Sequence, residues 1–483
     1  MKSYGITGYG AYVPRLRLSR GAIAAAHAWM APSLKGLAKG ERSFASWDED
    51  SITMGVEAAR DCLGTAKRDG ITGLTLASTT LPYADLQNSA IVAGALGLGP
   101  DVITADTGGS QRAGVSALAR ALRQGQGEQL LIASDRLHAK PASVQEMNYG
   151  AGAAAFSLGV DNIIARCLGF GSVLAQFIDH FRNNDATDDY FWEERWIRDE
   201  GYGKLVPKAV KLALADAGLT IADITTLVLA VPLKGVVAAI AKQLGFTGDI
   251  SDTLEAEVGY TGLAHPLLML TGALQQAKPG DRLLVLGFGQ GAEALILEAT
   301  DAITDFAPKR GLEKIIADKT VTGDYLRMLS FYRRIELEWG MRGEAAGKAA
   351  LTTAYRESRQ LSSFVAGKCQ ACGFVQFPQL AYCVNPECQA PSAQFTPHSL
   401  ADEPAKVLTY TSDWLSYYPA PPLYVGFVQF DIGARLLMET VDVGPEGITA
   451  GTPLRVVYRI KEPDKIRGFN RYFWKTTPIM QGV

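Results

Sequence analysis

Two stretches of the chain repeat one hydrophobic pattern. Residues 71–78 read Ile-Thr-Gly-Leu-Thr-Leu-Ala-Ser, and residues 224–231 read Ile-Thr-Thr-Leu-Val-Leu-Ala-Val. Each is an apolar run of buried-strand length, followed by a helix-like run that stops at a glycine, Gly97 in one case and Gly245 in the other. Each is also preceded by a helix-like segment, Ser51 to Leu63 and Val206 to Ala217. The two halves close alike, with Tyr149-Gly-Ala-Gly152-Ala-Ala-Ala-Phe-Ser-Leu and Phe288-Gly-Gln-Gly291-Ala-Glu-Ala-Leu-Ile-Leu. Strand and helix alternating twice over predict a duplicated α/β fold, with halves at residues 1–160 and 161–305 and the active site where they meet.

The pattern changes beyond residue 400. Lys406-Val-Leu-Thr-Tyr-Thr, Tyr424-Val-Gly-Phe-Val-Gln-Phe-Asp, Arg435-Leu-Leu-Met-Glu-Thr-Val and Leu454-Arg-Val-Val-Tyr-Arg-Ile are short and strand-like. Pro- and Gly-rich turns separate them, which predicts a small all-β barrel over residues 401–483. Residues 306–366 read as a helical connector and residues 367–400 as a small cysteine-bearing module.

Composition narrows the classes of function. The 483 residues are 47% hydrophobic and 20% charged, with a net charge of −3. That is ordinary for a globular protein of several domains. It gives no electrostatic reason to expect nucleic acid or a membrane surface as partner. The barrel segment carries Asp402, Glu403, Asp413, Asp431, Glu439 and Asp442 among its bases, unlike the basic groove of an oligonucleotide-binding barrel. No apolar run has membrane-spanning length, and the start lacks a signal-peptide pattern, so a cytoplasmic protein is expected.

Four of six cysteines cluster as Cys369-Gln-Ala-Cys372 and Cys383-Val-Asn-Pro-Glu-Cys388. Two short-spaced pairs on turns present four thiolates to one tetrahedral metal, and four protein ligands leave no place for a reacting water. A structural zinc ion is expected.

The paired Gly-x-Gly segments at Gly150/Gly152 and Gly289/Gly291 do not open helices, so they are not a dinucleotide fingerprint. They read first as turns. Glycine there also lets backbone N–H groups approach a substrate carbonyl, which makes Gly152, Gly289 and Gly291 candidate substrate-binding positions.

Several segments together resemble the thiolase superfamily, and most closely archaeal-type hydroxymethylglutaryl-CoA synthases. They are Gly5-Ile-Thr-Gly-Tyr-Gly-Ala-Tyr-Val-Pro14, Asp48 to Ala59, Leu81-Pro-Tyr-Ala84, Gly150 to Phe156, Gly259-Tyr-Thr-Gly262 and Gly287 to Ala292. Residues 320–475 resemble the zinc-ribbon and OB-barrel proteins that accompany such enzymes. The resemblance implies a five-layered αβαβα fold, a homodimer and thioesters of coenzyme A as substrates.

It also implies a cysteine nucleophile, a histidine, an asparagine and a glutamate, and this chain departs at all four. The nucleophile loop reads Thr107-Gly-Gly-Ser110-Gln111-Arg112-Ala-Gly114, which puts Gln111 or Ser110 in the cysteine slot according to the direction of counting. Leu233-Lys234 stands where the histidine is implied, Tyr260 for the asparagine, and threonine near Ser78-Thr79-Thr80 for the glutamate.

Without a thiolate, the family's acyl-enzyme route is closed. Tyr260 and His265 remain as candidate proton carriers, Tyr260 if its pKa is lowered by its neighbours and His265 as a neutral base at a helix start. Gln111 is a candidate hydrogen-bonding group for a thioester or enolate oxygen. By family position the resemblance implies that Arg136 and His138 line the pocket or the dimer interface. The aromatic- and charge-rich stretch Phe177 to Glu200 covers the pocket, meets a partner or lies as a charged surface helix.

The expected function is therefore C–C bond chemistry beside an acyl-CoA carbonyl, in the form of an aldol or retro-aldol step on a 3-hydroxyacyl-CoA. The alternatives are a condensing acyltransferase in which Ser110 or another residue replaces the cysteine, and a degenerate acyl-CoA-binding scaffold subunit.

Overall fold

The computed structural model describes residues 4–339 and 350–479. Part of the expected connector, residues 340–349, lies outside the described residues. The chain forms two compact units. The first comprises residues 1–46, 50–90 and 99–332, and the second residues 47–49, 91–98 and 333–483.

The duplication read from the sequence is present in the first unit as one ten-stranded sheet. The strands Gly5–Tyr12 and Ala165–Leu174 meet at its centre, with Ile6 beside Ala165. From Gly5–Tyr12 the sheet runs outward through Ala151–Gly159, Glu128–Arg136, Ile71–Ala77 and Ile103–Thr107. From Ala165–Leu174 it runs through Gly291–Ala299, Arg282–Phe288, Thr226–Leu229 and Asp249–Ile250. Each half pairs antiparallel, antiparallel, parallel, parallel in that order. The halves are one topology used twice, which is the thiolase-like αβαβα fold.

Close packing of a helix on each central strand recurs with the duplication. The helix Ser51–Leu63 is buried along its whole length. Asp50 starts it, its carboxylate accepting from the N–H groups of Ile52 and Thr53 in a capping box with Thr53. The strand beneath approaches so closely that a Cβ at Gly10 would strike the backbone of Ala58 and Cys62. In the other half, Gly171 meets the backbone of Ala209 and Ala213 in the helix Gly203–Ala217 in the same way. The helices Ala113–Gln124 and His265–Gln276 occupy equivalent places in the two halves and share one apolar core, through Val115, Leu118, Leu263, Leu267 and Leu268. The loops that precede these two helices carry Ser110, Gln111 and Tyr260.

The second unit holds a three-stranded ribbon and a barrel. The ribbon strands are Val375–Gln376, Val365–Cys369 and Phe395–Ser399, in that spatial order. The barrel strands Ala405–Val407, Leu423–Phe430, Arg435–Thr440, Pro453–Asp464 and Phe469–Pro478 close in the order first, second, third, fifth, fourth, first. The short strand Thr411–Asp413 adds to the second. Trp474 fills this unit's core, stacked on Phe364 at 5.9 Å and edge-on to Tyr458 at 5.0 Å. Its indole N–H donates to the Ser362 carbonyl at 2.7 Å. Among the described residues no helix is long and apolar enough to cross a membrane.

Candidate active site

The loop after the strand Ile71–Ala77 and the loop before the helix His265–Gln276 converge on one carboxylate. Asp135 is the next-to-last residue of the strand Glu128–Arg136 and is fully buried. Its Oδ1 accepts from the Thr79 N–H at 2.8 Å and from the Ser78 and Thr80 hydroxyls at 3.0 Å each. Its Oδ2 accepts from the Thr79 hydroxyl and from the Leu263 N–H, both at 3.0 Å. Burial pushes the Asp135 pKa up, and the donors pull against it. A Cβ on Gly262 would strike this carboxylate, and φ of +64° there is a left-handed conformation that glycine adopts at no cost.

Gln111 stands on the other side of Gly262. The same hypothetical Cβ would lie 3.1 Å from Gln111 Oε1. Gln111 is buried, 7% exposed, and its Oε1 has no hydrogen-bond partner among the described residues. An unsatisfied buried amide oxygen is costly, and a hydrogen-bonding ligand or a water would satisfy it. The loop below is anchored by Glu293, which takes Arg112 Nη1 at 3.2 Å and the Ser116 hydroxyl at 2.5 Å. Ser110 donates its hydroxyl to the Gly289 carbonyl at 2.9 Å. Among the described residues no histidine partners it, so the serine-nucleophile alternative lacks a base.

Tyr260 faces this cluster, its ring centroid 6.3 Å from that of Tyr149. The Tyr260 N–H donates to the Asn148 carbonyl at 2.7 Å, and the Tyr260 carbonyl accepts from the Gly150 N–H at 2.8 Å. The sequence expectation made Tyr260 a proton carrier with a lowered pKa. The structure reverses the sign: burial, then the charges of Asp179, Asp135 and Asp189, raise it. Tyr260 is therefore a neutral hydrogen-bond donor rather than a base. Tyr149 is likewise raised, by burial and then by Asp189.

His265 does not reach the cluster with a free ring atom. Its Nδ1 accepts from the Thr261 N–H at 3.1 Å, and its Nε2 donates to the Thr253 carbonyl at 2.8 Å. Burial lowers its pKa to about 4. Both nitrogens are committed to backbone, so the proton-carrying role expected for His265 has no atom to perform it.

The glycines are also corrected. Gly152 lies inside the strand Ala151–Gly159, in register with Asp135, rather than in a turn. Gly289 and Gly291 do flank the turn between two strands, with φ of +150° and +123°. The Gly289 N–H is spent on the Gly291 carbonyl at 3.0 Å and is not presented to a substrate. Arg136 donates from Nη2 to the Phe331 carbonyl at 2.8 Å and covers the Tyr332 ring at 4.2 Å; the His138 ring centroid lies 5.3 Å from the same ring.

The stretch Phe177 to Glu200 forms a small hairpin and a helix start. His180–Phe181 pairs antiparallel with Tyr190–Phe191, and the Trp192 N–H donates to the Asp179 carbonyl at 2.9 Å. The hairpin exposes Phe181, Tyr190 and Trp192 and buries Asp179. His180 Nδ1 lies 2.7 Å from Asp179 Oδ2. Arg182 donates to the Thr79 carbonyl and lies 3.8 Å from Asp189 Oδ1, which ties the hairpin to the Asp135 cluster. One π-helical turn, Ile197–Tyr202, then brings Tyr202 onto Phe288 at 4.0 Å.

Sequence reasoning missed Asp135, Tyr149, Asp179, His180 and Asp189. Asp135 was signalled by an acidic residue ending the apolar run Leu130-Leu-Ile-Ala-Ser. Asp179, His180 and Asp189 fall in a stretch whose inward and outward faces are set only by a hairpin of two-residue strands, and Tyr149 caps the short helix Val144–Asn148.

In the second unit, the Sγ atoms of Cys369, Cys372, Cys383 and Cys388 all lie within 4.8 Å of one another. Cys369 to Cys388 is 3.8 Å and Cys372 to Cys383 is 3.6 Å. Thiolates ~2.3 Å from a tetrahedral centre stand about 3.8 Å apart, so the four sulfurs fit one metal ion.

Comparison with known proteins agrees with this architecture. Residues 214–298 match the family model described as 3-oxoacyl-[acyl-carrier-protein] synthase III C terminal. The chain is 33% identical over 368 residues to the hydroxymethylglutaryl-CoA synthase of Aeropyrum pernix, covering 72% of this chain and 95% of that protein. It is 32% identical over 338 residues to the corresponding synthase of Methanopyrus kandleri, covering 67% and 96%. A solved hydroxymethylglutaryl-CoA synthase complexed with CoA superposes with a TM-score of 0.58 at 18% identity, over 72% of this chain and 94% of that one. The 3-oxoacyl-(acyl carrier protein) synthase III of Pseudomonas aeruginosa gives 0.54 at 22% identity, over 62% and 98%. With its duplicated sheet, its two central helices and this extent of identity, the chain belongs to the hydroxymethylglutaryl-CoA synthase family.

Proposed function

We propose that the protein makes or breaks the C2–C3 bond of a 3-hydroxyacyl-CoA by aldol or retro-aldol chemistry, without an acyl-enzyme. The observation that carries this reading is the buried, unpartnered Gln111 amide in the loop where the family's nucleophile is implied. An amide cannot attack a thioester. It can hydrogen-bond an oxygen on which charge develops, because rotating the amide presents its Nε2 donor where Oε1 stands.

In the cleavage direction the 3-hydroxyl loses its proton and the C2–C3 bond breaks. C3 becomes a carbonyl, and the electron pair passes onto the thioester as an enolate. In this reading Gln111 and the neutral Tyr260 hydroxyl donate to the enolate and carbonyl oxygens. Asp135 does not meet substrate in this reading; it holds the Thr79–Thr80 loop and Gly262 in position. The similarity to hydroxymethylglutaryl-CoA synthases supports the condensing alternative; against it, the Ser110 hydroxyl is committed to the Gly289 carbonyl, and no histidine partners it among the described residues.

Coenzyme A enters as part of the substrate. Cys369, Cys372, Cys383 and Cys388 would hold a structural zinc ion whose coordination their own thiolates complete. The open sheet edge Ile103–Thr107, with Ile103 78% exposed, supports a homodimer paired across that strand.

The test is incubation with a panel of 3-hydroxyacyl- and 3-ketoacyl-CoA esters, followed by mass spectrometry of the products. A shortened acyl-CoA with an aldehyde or ketone supports the reading. Condensation products would favour the acyltransferase, and binding without turnover would favour the scaffold subunit.

A further inference from the structure

The reaction proposed above needs a base for the 3-hydroxyl proton, and His265 has no free ring atom to supply one. We infer that His180, oriented by Asp179, takes that proton and returns it to C2 of the enolate. This inference rests on the aldol reading and deepens it.

The geometry carries the argument. The imidazole Nδ1 donates to Asp179 Oδ2 at 2.7 Å, which fixes the tautomer with Nε2 as the basic atom. Nε2 makes no hydrogen bond among the described residues. Asp179 is 7% exposed, so the pair is not a solvated surface contact. A histidine oriented by a buried carboxylate, with its other nitrogen free, is the arrangement that general bases use.

The dyad also belongs to the same site. Arg182, two residues on, hydrogen-bonds the Thr79 carbonyl, and Thr79 donates twice to Asp135. Asp135 abuts Gly262, and Gly262 abuts Gln111. Asp189 on the facing side of the hairpin is hydrogen-bonded to the Tyr149 side chain and lies 3.8 Å from Arg182. Through Asp189 the hairpin thus reaches Tyr149, whose ring lies 6.3 Å from that of Tyr260, and through Asp135 and Gly262 it reaches the orphaned Gln111 Oε1. The groups that face His180 are Asp179, Asp189 and Arg182 from the hairpin, and Asp135 from the sheet.

Charge supports the assignment. Burial lowers the His180 pKa, but the hydrogen bond and charge of Asp179, followed by the charges of Asp189 and Asp135, reverse this and raise it overall. A raised pKa makes a stronger base and, once protonated, a competent donor to carbon.

The step balances without a co-reactant. The hydroxyl proton moves to Nε2, and the O–H pair becomes the C3 carbonyl π bond. The C2–C3 pair moves into the enolate, and the imidazolium proton ends on C2. A 3-hydroxyacyl-CoA thus yields a shortened acyl-CoA and a carbonyl compound.

The test uses the full-length protein with ¹⁵N-labelled histidine, titrated by NMR with and without acetyl-CoA. The His180 signal is expected to titrate above the ordinary ~6.5, to shift on adding acetyl-CoA, and to titrate lower in Asp179→Asn. With a substrate that is turned over, kcat/KM should rise with pH through the same value. His180→Gln removes the base while keeping a polar side chain of similar length. It is expected to lower kcat by on the order of 10²–10⁴, with KM little changed. In Asp179→Asn the acid limb should move to lower pH, which a merely structural role would not produce. Wild-type kcat in His180→Gln, or a His180 signal indifferent to acetyl-CoA, would overturn the inference. A responsive His180 signal with no product from any thioester would instead overturn the aldol reading while leaving His180 at the ligand site.

Discussion

The Asp135 carboxylate accepts a hydrogen bond from the Leu263 N–H at 3.0 Å, across 128 residues of sequence. This bond joins the two halves of the duplicated fold at the point where their central helices begin. Everything proposed for catalysis is arranged around it.

Replacing Asp135 should therefore disturb both stability and rate. Asp135→Asn turns N–H groups toward donors that already point inward, leaving several buried groups unsatisfied at about 1–3 kcal/mol each. Thermal unfolding of the variant should occur well below that of wild type. A displacement of Gln111 or Tyr260 by about 1 Å would lower kcat by on the order of 10²-fold. Unchanged melting and unchanged kcat would show that the carboxylate is not the hub.

Gln111 distinguishes the proposed chemistry from the family's covalent route. Gln111→Ala should slow turnover by on the order of 10²–10³, the cost of one oxyanion donor. Gln111→Cys should fail to trap label from radioactive acetyl-CoA, because Leu233, Lys234 and Tyr260 stand where the family resemblance implies the activating groups. Stable labelling of the Gln111→Cys variant would mean that a latent acyl-transfer site survives.

His265 should reveal itself through stability rather than rate. Its folded pKa of about 4 lies below the ordinary value of ~6.5, so the unfolded chain takes up the proton first. Stability from the neutral imidazole is thus present above ~6.5 and lost as pH falls through about 4. Urea unfolding of His265→Asn should show its largest deficit above neutrality, and the gap should narrow near pH ~4.5. A gap that does not depend on pH would contradict the buried neutral state.

The cysteine cluster should bind one metal ion per chain. Elemental analysis should find about one zinc, lost in Cys369→Ser and on chelation under mild denaturation. Thiol titration after chelation should then expose the four clustered cysteines as newly reactive. A metal-free protein that retains the melting behaviour of the metal-loaded form would remove the structural role.

The fold was legible because its signals are local and repeated. Apolar strands at 71–77 and 226–229, glycine stops, and alternating short strands after residue 400 each state their own conformation. The four clustered cysteines were legible for the same reason. The catalytic chemistry was less so. Tyr260 stood out as a candidate, but the sign of its pKa shift depends on burial and then on Asp179, Asp135 and Asp189, which approach from distant segments. His265 drew notice as a histidine at a helix start, yet only tertiary contacts reveal that Thr253 and Thr261 hold both of its nitrogens. His180 lies in a hairpin whose strands are two residues long, too short for periodicity to say which side faces inward.

The most direct test of the central claim is to follow one turnover by mass spectrometry, reading small molecules and intact protein together. With a 3-hydroxyacyl-CoA that the protein consumes, a carbonyl product and a shortened acyl-CoA should appear in equal amounts, with the protein mass unchanged throughout. A protein mass raised by an acyl group, or free coenzyme A released without C–C cleavage, would contradict it.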